Sequence, residues 1–166
     1  WKENIEKEFP KLFKEDALEI GKWYKHYSGG LNYLVCSVGN RIAYGFMDGE
    51  YATGLLFGNE RLTQGCVPAT DKEVEEALIK EAKKRGFFNI GNIFKSCFDD
   101  NNEARTISKY DSSTDIDYYY DKADNALRSN GLNTYFKFCS NPLIYEKGKW
   151  AEIIKETITK EQAEKE

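Results

Sequence analysis

The sequence predicts an α+β fold: two antiparallel β meanders, forming a strongly bent sheet or a partly open barrel, around one central helix, with short helical segments at the termini. Three observations lead there. Residues 20–57 alternate apolar and polar side chains in short runs broken by Gly-bearing turns. A single stretch, residues 71–85, carries apolar residues at helical spacing between a capping signal and a glycine. After it the short alternating runs resume, separated by polar turns.

Ile5, Phe9, Leu12 and Phe13 share one face of a short N-terminal helix, which Pro10 interrupts, so residues 1–17 read as a loose arm. Ile20 to Tyr27 reads as the first strand, with Ser28-Gly29-Gly30 as its turn. Asn32–Val38 follows, ended by Gly39-Asn40; then Arg41–Met47, ended by Asp48-Gly49; then Glu50–Phe57. Consecutive strands with tight Gly turns make an antiparallel meander. The helix opens at Thr70, whose capping box is completed by Glu73, with Asp71 and Glu73 suiting the positive end of the helix dipole. Val74, Ala77, Leu78 and Ala82 form its apolar face, and Gly86 ends it in the left-handed conformation. Phe87 and Phe88 are expected to pack back on the core. The second β run comprises Ile93–Phe98, Arg105–Tyr110, Ile116–Asp121, Thr134–Phe138, Leu143–Glu146 and Lys149–Ile154. Residues 18–156 read as one domain with an insertion at 99–133, and residues 157–166 as a helical tail with Thr159 as its cap. Gly-Lys-Trp occurs at 21–23 and again at 148–150, a short match that would mark two related β units.

Composition narrows the function classes. With 166 residues, 40% of them apolar and 31% charged, the chain suits a folded domain rather than a disordered tail. No run approaches the roughly 18 apolar residues of a transmembrane helix, and no signal-peptide pattern opens the sequence. Trp1 in place of an initiator methionine is expected of a chain trimmed, processed or cut from a longer one. The 24 basic and 28 acidic residues leave a net charge of −4, which disfavours a non-specific nucleic-acid binder. Lys80, Lys83, Lys84 and Arg85 form the densest basic cluster, but acids interleave with it and the end of a helix accounts for it. Cys36, Cys66, Cys97 and Cys139 are too widely spaced for a zinc site, and free thiols in a reducing cytosol are expected.

The segment Val67-Pro68-Ala69-Thr70-Asp71-Lys72-Glu73-Val74 through Lys84-Arg85-Gly86-Phe87 resembles a recurring module of uncharacterised bacteriophage and prophage proteins. In that module a strand of the Ile20-Gly21-Lys22-Trp23-Tyr24 type precedes the helix. A closing strand like Gly148-Lys149-Trp150-Ala151-Glu152-Ile153-Ile154 comes after it, here followed by a tail like Ile158 to Glu164. The likeness covers most of the chain after residue 18, while residues 1–17 and 99–133 depart from it. It implies a viral origin and a compact α+β module, and it carries over no catalytic residue. Its location would be the cytoplasm of a bacterial host, or the virion.

No catalytic motif emerges, and neither a cofactor nor a metal is expected. His26 is the one histidine, so any Ser-His-Asp or Cys-His machinery must use it. Alternation places it on the Tyr24 face of its strand, half-exposed, away from Trp23, and no cysteine is near it in sequence. There is no Walker loop and no Gly-x-Gly-x-x-Gly. Asp111, Asp115, Asp117, Asp121 and Asp124 cluster without an EF-hand register and read as solvated loops. Tyr118-Tyr119-Tyr120 is the most unusual run. In a strand, Tyr118 and Tyr120 take one face and Tyr119 the other, so at least one tyrosine face meets solvent or a partner. Flanking acids disfavour phosphates and favour a basic protein. The expected activity is therefore non-catalytic binding of a host or viral protein through Tyr118, Tyr119, Tyr120, Asp115 and Asp117. A virion structural or decoration protein, and a sponge for a small molecule such as a nucleotide, are the alternatives.

Overall fold

The computed structural model describes residues 18–38, 42–56, 65–89, 91–95, 104–107, 118–129 and 143–154. The expected arm at 1–17, the tail at 157–166 and the strand at Thr134–Phe138 lie outside them. The chain divides into two compact units, residues 1–70 and 71–166. The described residues are mixed α and β and predominantly β, with one helix and three sheets of antiparallel strands. The expected partly open barrel is not seen, because none of these three sheets closes on itself.

The first unit is a five-stranded sheet in the order β4-β3-β2-β1-β5. Its strands are β1 (Trp23–Ser28), β2 (Leu31–Val38), β3 (Ile42–Met47), β4 (Glu50–Leu56) and β5 (Val67–Pro68). The meander read from the sequence is present, and its turns are chemically explicit. Gly29 and Gly30 have φ of 62° and 84°, and Asp48 and Gly49 have 52° and 86°. Positive φ at both loop positions matches the type I′ turn, whose twist suits a two-residue hairpin. Ser28 pairs with Leu31 and Met47 with Glu50 on either side of those turns. In register, Trp23, Cys36 and Tyr44 lie side by side on one face. The Trp23 ring sits 5.8 Å from Tyr44 and 6.4 Å from Phe46, giving this unit a buried aromatic centre.

One reading is corrected here. Ile20 is not in the first strand. Gly21 has φ of 83° and donates its N–H to the Ser37 carbonyl, so residues 20–22 turn before the strand begins, and Ile20 is exposed. Val67 and Pro68 form a short strand that no run in the sequence announces. They pair with Lys25 and Tyr24 as an edge strand, a position where a proline's missing N–H costs nothing.

The second unit contains helix α1 (Asp71–Arg85) and strands β6 (Ile93–Lys95), β7 (Ala104–Thr106), β8 (Tyr118–Asp121), β9 (Ala126–Ser129), β10 (Leu143–Glu146), β11 (Lys149–Trp150) and β12 (Glu152–Ile154). The helix has the bounds its sequence predicts. Its apolar face buries Val74, Leu78 and Ala82, each larger side chain worth roughly 1.5–3 kcal/mol when removed from water. Gly86 ends it with φ of 92°. Phe87 N–H bonds the Ala82 carbonyl and Gly86 N–H the Lys83 carbonyl, the two bonds of a Schellman cap. Phe87 then turns inward, fully buried against Phe94 and Trp150.

Strands β11-β10-β9-β8 form one sheet and β12-β6-β7 another. The single closing strand read over Lys149–Ile154 is thus two. The break falls at Ala151, whose N–H still bonds the Ile144 carbonyl while Glu152–Ile154 pairs with β6. Strand β9 was not read from the sequence at all. Both β8 and β9 come from the 99–133 segment read as an insertion, and they supply two of the four strands in their sheet.

Candidate functional site

The four-stranded sheet positions the tyrosine run. Tyr118, Tyr119, Tyr120 and Asp121 pair with Ser129, Arg128, Leu127 and Ala126. Alternation therefore sends Tyr118 and Tyr120 to one side and Tyr119 and Asp121 to the other, as the strand period requires.

Tyr118 is 2% exposed, and its hydroxyl donates to the Phe87 carbonyl at 2.5 Å. Its ring lies 4.9 Å from that of Phe88. Burial pushes its phenol well above the usual tyrosine range. This corrects its expected place on an exposed surface: Tyr118 is a core residue, because its register faces the side on which Leu127 and Tyr145 are buried. Tyr120 shares that side and is only partly exposed. Its hydroxyl donates to the Asn125 carboxamide oxygen at 3.0 Å. Asn125 is buried and adopts φ of 51°, a conformation asparagine tolerates. Tyr119 alone of the three points to the opposite face, where it is partly exposed beside Arg128.

The charges around Tyr119 are organised by Arg128, which the sequence did not single out. Its Nε donates to Asp121 Oδ2 at 3.2 Å, and a terminal nitrogen donates to Asp124 Oδ2 at 2.5 Å. The fork shape of the guanidinium suits two acceptors at once. Two carboxylates and one guanidinium leave one net negative charge beside the Tyr119 ring. The Asp124 side chain is 50% exposed and that of Asp121 31%. Along the next row of the same face, the register aligns Asp121, Ala126, Glu146 and Lys149. Asp115 and Asp117, the other expected members of the surface, lie outside the described residues, as does Asp111.

His26 is where alternation put it, on the Tyr24 side of β1 and half-buried. Its ring lies 6.2 Å from Tyr33, its partner across the β1–β2 ladder. The Nδ1 atom is enclosed and has no hydrogen-bond partner among the described residues. Pairing of β5 with β1 brings residues 65–66 alongside: a methyl placed on Gly65 would lie 3.7 Å from Nδ1 and Cε1. Linear spacing hid this approach of Gly65 to the histidine. Burial pushes the Cys66 thiol up, away from the thiolate a nucleophile needs. Cys36 is buried and Cys66 is half-buried. Among the described residues, no three His, Cys, Asp or Glu side chains converge as a metal cage would require, and no helix is long and apolar enough to cross a membrane.

Compared with protein-family models, curated proteins and solved structures, the chain matches none. The site's geometry is therefore the ground for a functional reading.

Proposed function

We propose that this chain is a non-catalytic binding protein that engages a basic segment of a host or viral protein through the outer face of the four-stranded sheet. The carrying observation is the orientation of Tyr119. It stands, partly exposed, on the face of β8 opposite the buried Tyr118, in register with Arg128, which holds two partly exposed carboxylates. A tyrosine on a rigid strand offers contact area at small entropic cost, and its ring face attracts a cation. Asp121 and Asp124 add a negative field of short range. The binding surface in this reading is Tyr119, Asp121 and Asp124, with Asp115 and Asp117 preceding them in the chain. Tyr118 leaves it, and Tyr120 supports it from beneath. A phage or prophage origin, with action in the bacterial host cytoplasm or on the virion, rests on the likeness carried by residues 67–87.

The test is native mass spectrometry of the protein recovered from its bacterial host, for the wild type and for Tyr119→Ala. The expected result is a protein partner retained by the wild type and lost from the variant, with the melting temperature nearly unchanged. Equal recovery of that partner by both forms sinks the outer face as the binding surface. A wild type that carries a small molecule instead supports the sponge, and a multiple of the chain mass supports a virion assembly role.

A further inference from the structure

His26 is the one histidine of the chain, and histidine is the one side chain whose ordinary value falls between about pH 5 and 8. Its Nδ1 atom is enclosed and has no hydrogen-bond partner among the described residues. The approach to β5 closes on this atom: a methyl on Gly65 would lie 3.7 Å from Nδ1 and from Cε1. That approach is held to the sheet lightly. Strand β5 is two residues long, both exposed, and its proline has no N–H to give. Beyond the pairs that Val67 and Pro68 make with Lys25 and Tyr24, the Ala69 N–H bonds the Trp23 carbonyl at 2.9 Å. Short, exposed edge elements are where a fold opens first.

We propose that His26 is an acid-operated latch: its neutral ring accepts residues 65–68 on the edge of β1, and its protonation releases them. A neutral imidazole carries its proton on Nε2 and leaves Nδ1 as a bare lone pair, which an enclosed site tolerates. An imidazolium carries N–H at both nitrogens, and a charged N–H shut away from water without an acceptor is among the costliest groups to bury. The groups on this side of the sheet do not offset that cost. Tyr24 on β1 and Tyr33 on β2 bring phenols, and Cys66 brings a thiol that burial pushes up. The ladders also set Glu50 on this side, but on β4, three strand spacings or about 14 Å from β1 and beyond a Debye length. Lys25 and Tyr27, the neighbours along β1, point to the other face. Lifting Gly65 away lets water reach Nδ1. The open segment therefore takes up the proton and the paired one does not, so β5 stays on the sheet at neutral pH and comes off as the pH falls through the histidine range.

The test follows hydrogen exchange of the Ala69 amide in the whole chain, with protection corrected for the intrinsic rate at each pH, and takes the Phe46 amide on the inner strand β3 as reference. Between about pH 7.5 and about pH 5.5, protection at Ala69 is expected to fall by about tenfold, the change given by one proton that only the open form takes up around an ordinary histidine value of about 6.5. Phe46 is expected to keep its protection. A fall at Ala69 smaller than about threefold, or an equal fall at Phe46, overturns the latch. A ring that titrates, as read from its Cε1–H resonance, while Ala69 keeps its protection has swung out alone, and this overturns it too. His26→Gln keeps a polar side chain that takes up no proton, and its Ala69 protection is expected to be the same at both pH values. A fall equal to that of the wild type overturns the proposal. Should this variant not fold, the wild type decides through the two amides.

Discussion

Tyr118 and Tyr119 differ by one position in the strand and by opposite physical roles. Tyr118 fills a buried site and donates its hydroxyl to the Phe87 carbonyl. Tyr118→Phe removes the donor and leaves that carbonyl without it, a loss of about 1–2 kcal/mol in urea denaturation. Tyr118→Ala also opens a cavity and is expected to cost about 3–5 kcal/mol, whereas Tyr119→Ala stays within about 1 kcal/mol. The same burial makes a pH prediction. The phenol ionises more readily in the unfolded chain than in the folded one. This contribution to stability is complete below pH ~10, the unfolded value, and declines as the pH rises above it, because the unfolded state then releases a proton that the folded state keeps. Tyr118→Phe should flatten that alkaline decline, as read from melting temperatures across the range. Gly45 gives the other residue-scale test. A Cβ there would lie 2.2 Å from the Leu34 carbonyl oxygen and 2.8 Å from Val35 Cα, with φ of 149°. Both neighbours are backbone and have nowhere to move, so Gly45→Ala should cost about 3 kcal/mol or more. A loss under 1 kcal/mol by the same denaturation assay would refute the close approach.

Among the elements, α1 was legible because its signals agree: acids in the first turn, apolar residues at 74, 78 and 82, bases in the last turn and glycine at 86. Its buried Glu81 was not legible. The acid lies on the apolar side and is compensated by Arg85, whose Nε is 2.8 Å away and whose guanidinium lies 4.8 Å from the centre of the Trp150 ring. Arg85→Ala removes both the pair and the cation on the ring. The guanidinium side is 36% exposed, so water moderates the loss, and about 1–2 kcal/mol is expected. Glu81→Gln/Arg85→Ala should recover part of it, since no buried charge is then left alone; no recovery in the double variant would mean that the ring contact, not the pair, carries the effect. Strand β9 escaped the sequence reading for a different reason. Ala126, Leu127, Arg128 and Ser129 include only one strongly apolar side chain and no β-branched one. They form a strand because β8 and β10 bond them on both sides, an instance of tertiary context overriding propensity.

At the scale of the whole chain, each unit has its own aromatic centre: Trp23 with Tyr44 and Phe46 in the first, Phe87 with Phe94, Trp150 and Tyr145 in the second. The two Gly-Lys-Trp pieces fall one in each unit, both with the glycine at positive φ. Separate centres predict separate responses to damage. Gly45→Ala should raise amide exchange across β1–β4 more than across β8–β10. A uniform rise in both sheets would show that the chain opens as one cooperative body.

What the sequence alone determined was local. The type I′ turns at 29–30 and 48–49, the helix with its glycine stop, and the opposite facing of Tyr118 and Tyr119 all follow from backbone sterics and strand period over a few residues. What only the tertiary structure decided was which face of each element is covered. That choice buried Tyr118, left Tyr119 partly exposed, set Arg128 between Asp121 and Asp124, brought Gly65 against His26 and bonded Glu75 to the Tyr120 N–H. Each of these joins residues that stand apart in the chain or separates residues that adjoin. Period and propensity describe a residue's neighbours along the backbone and are silent about its neighbours across space.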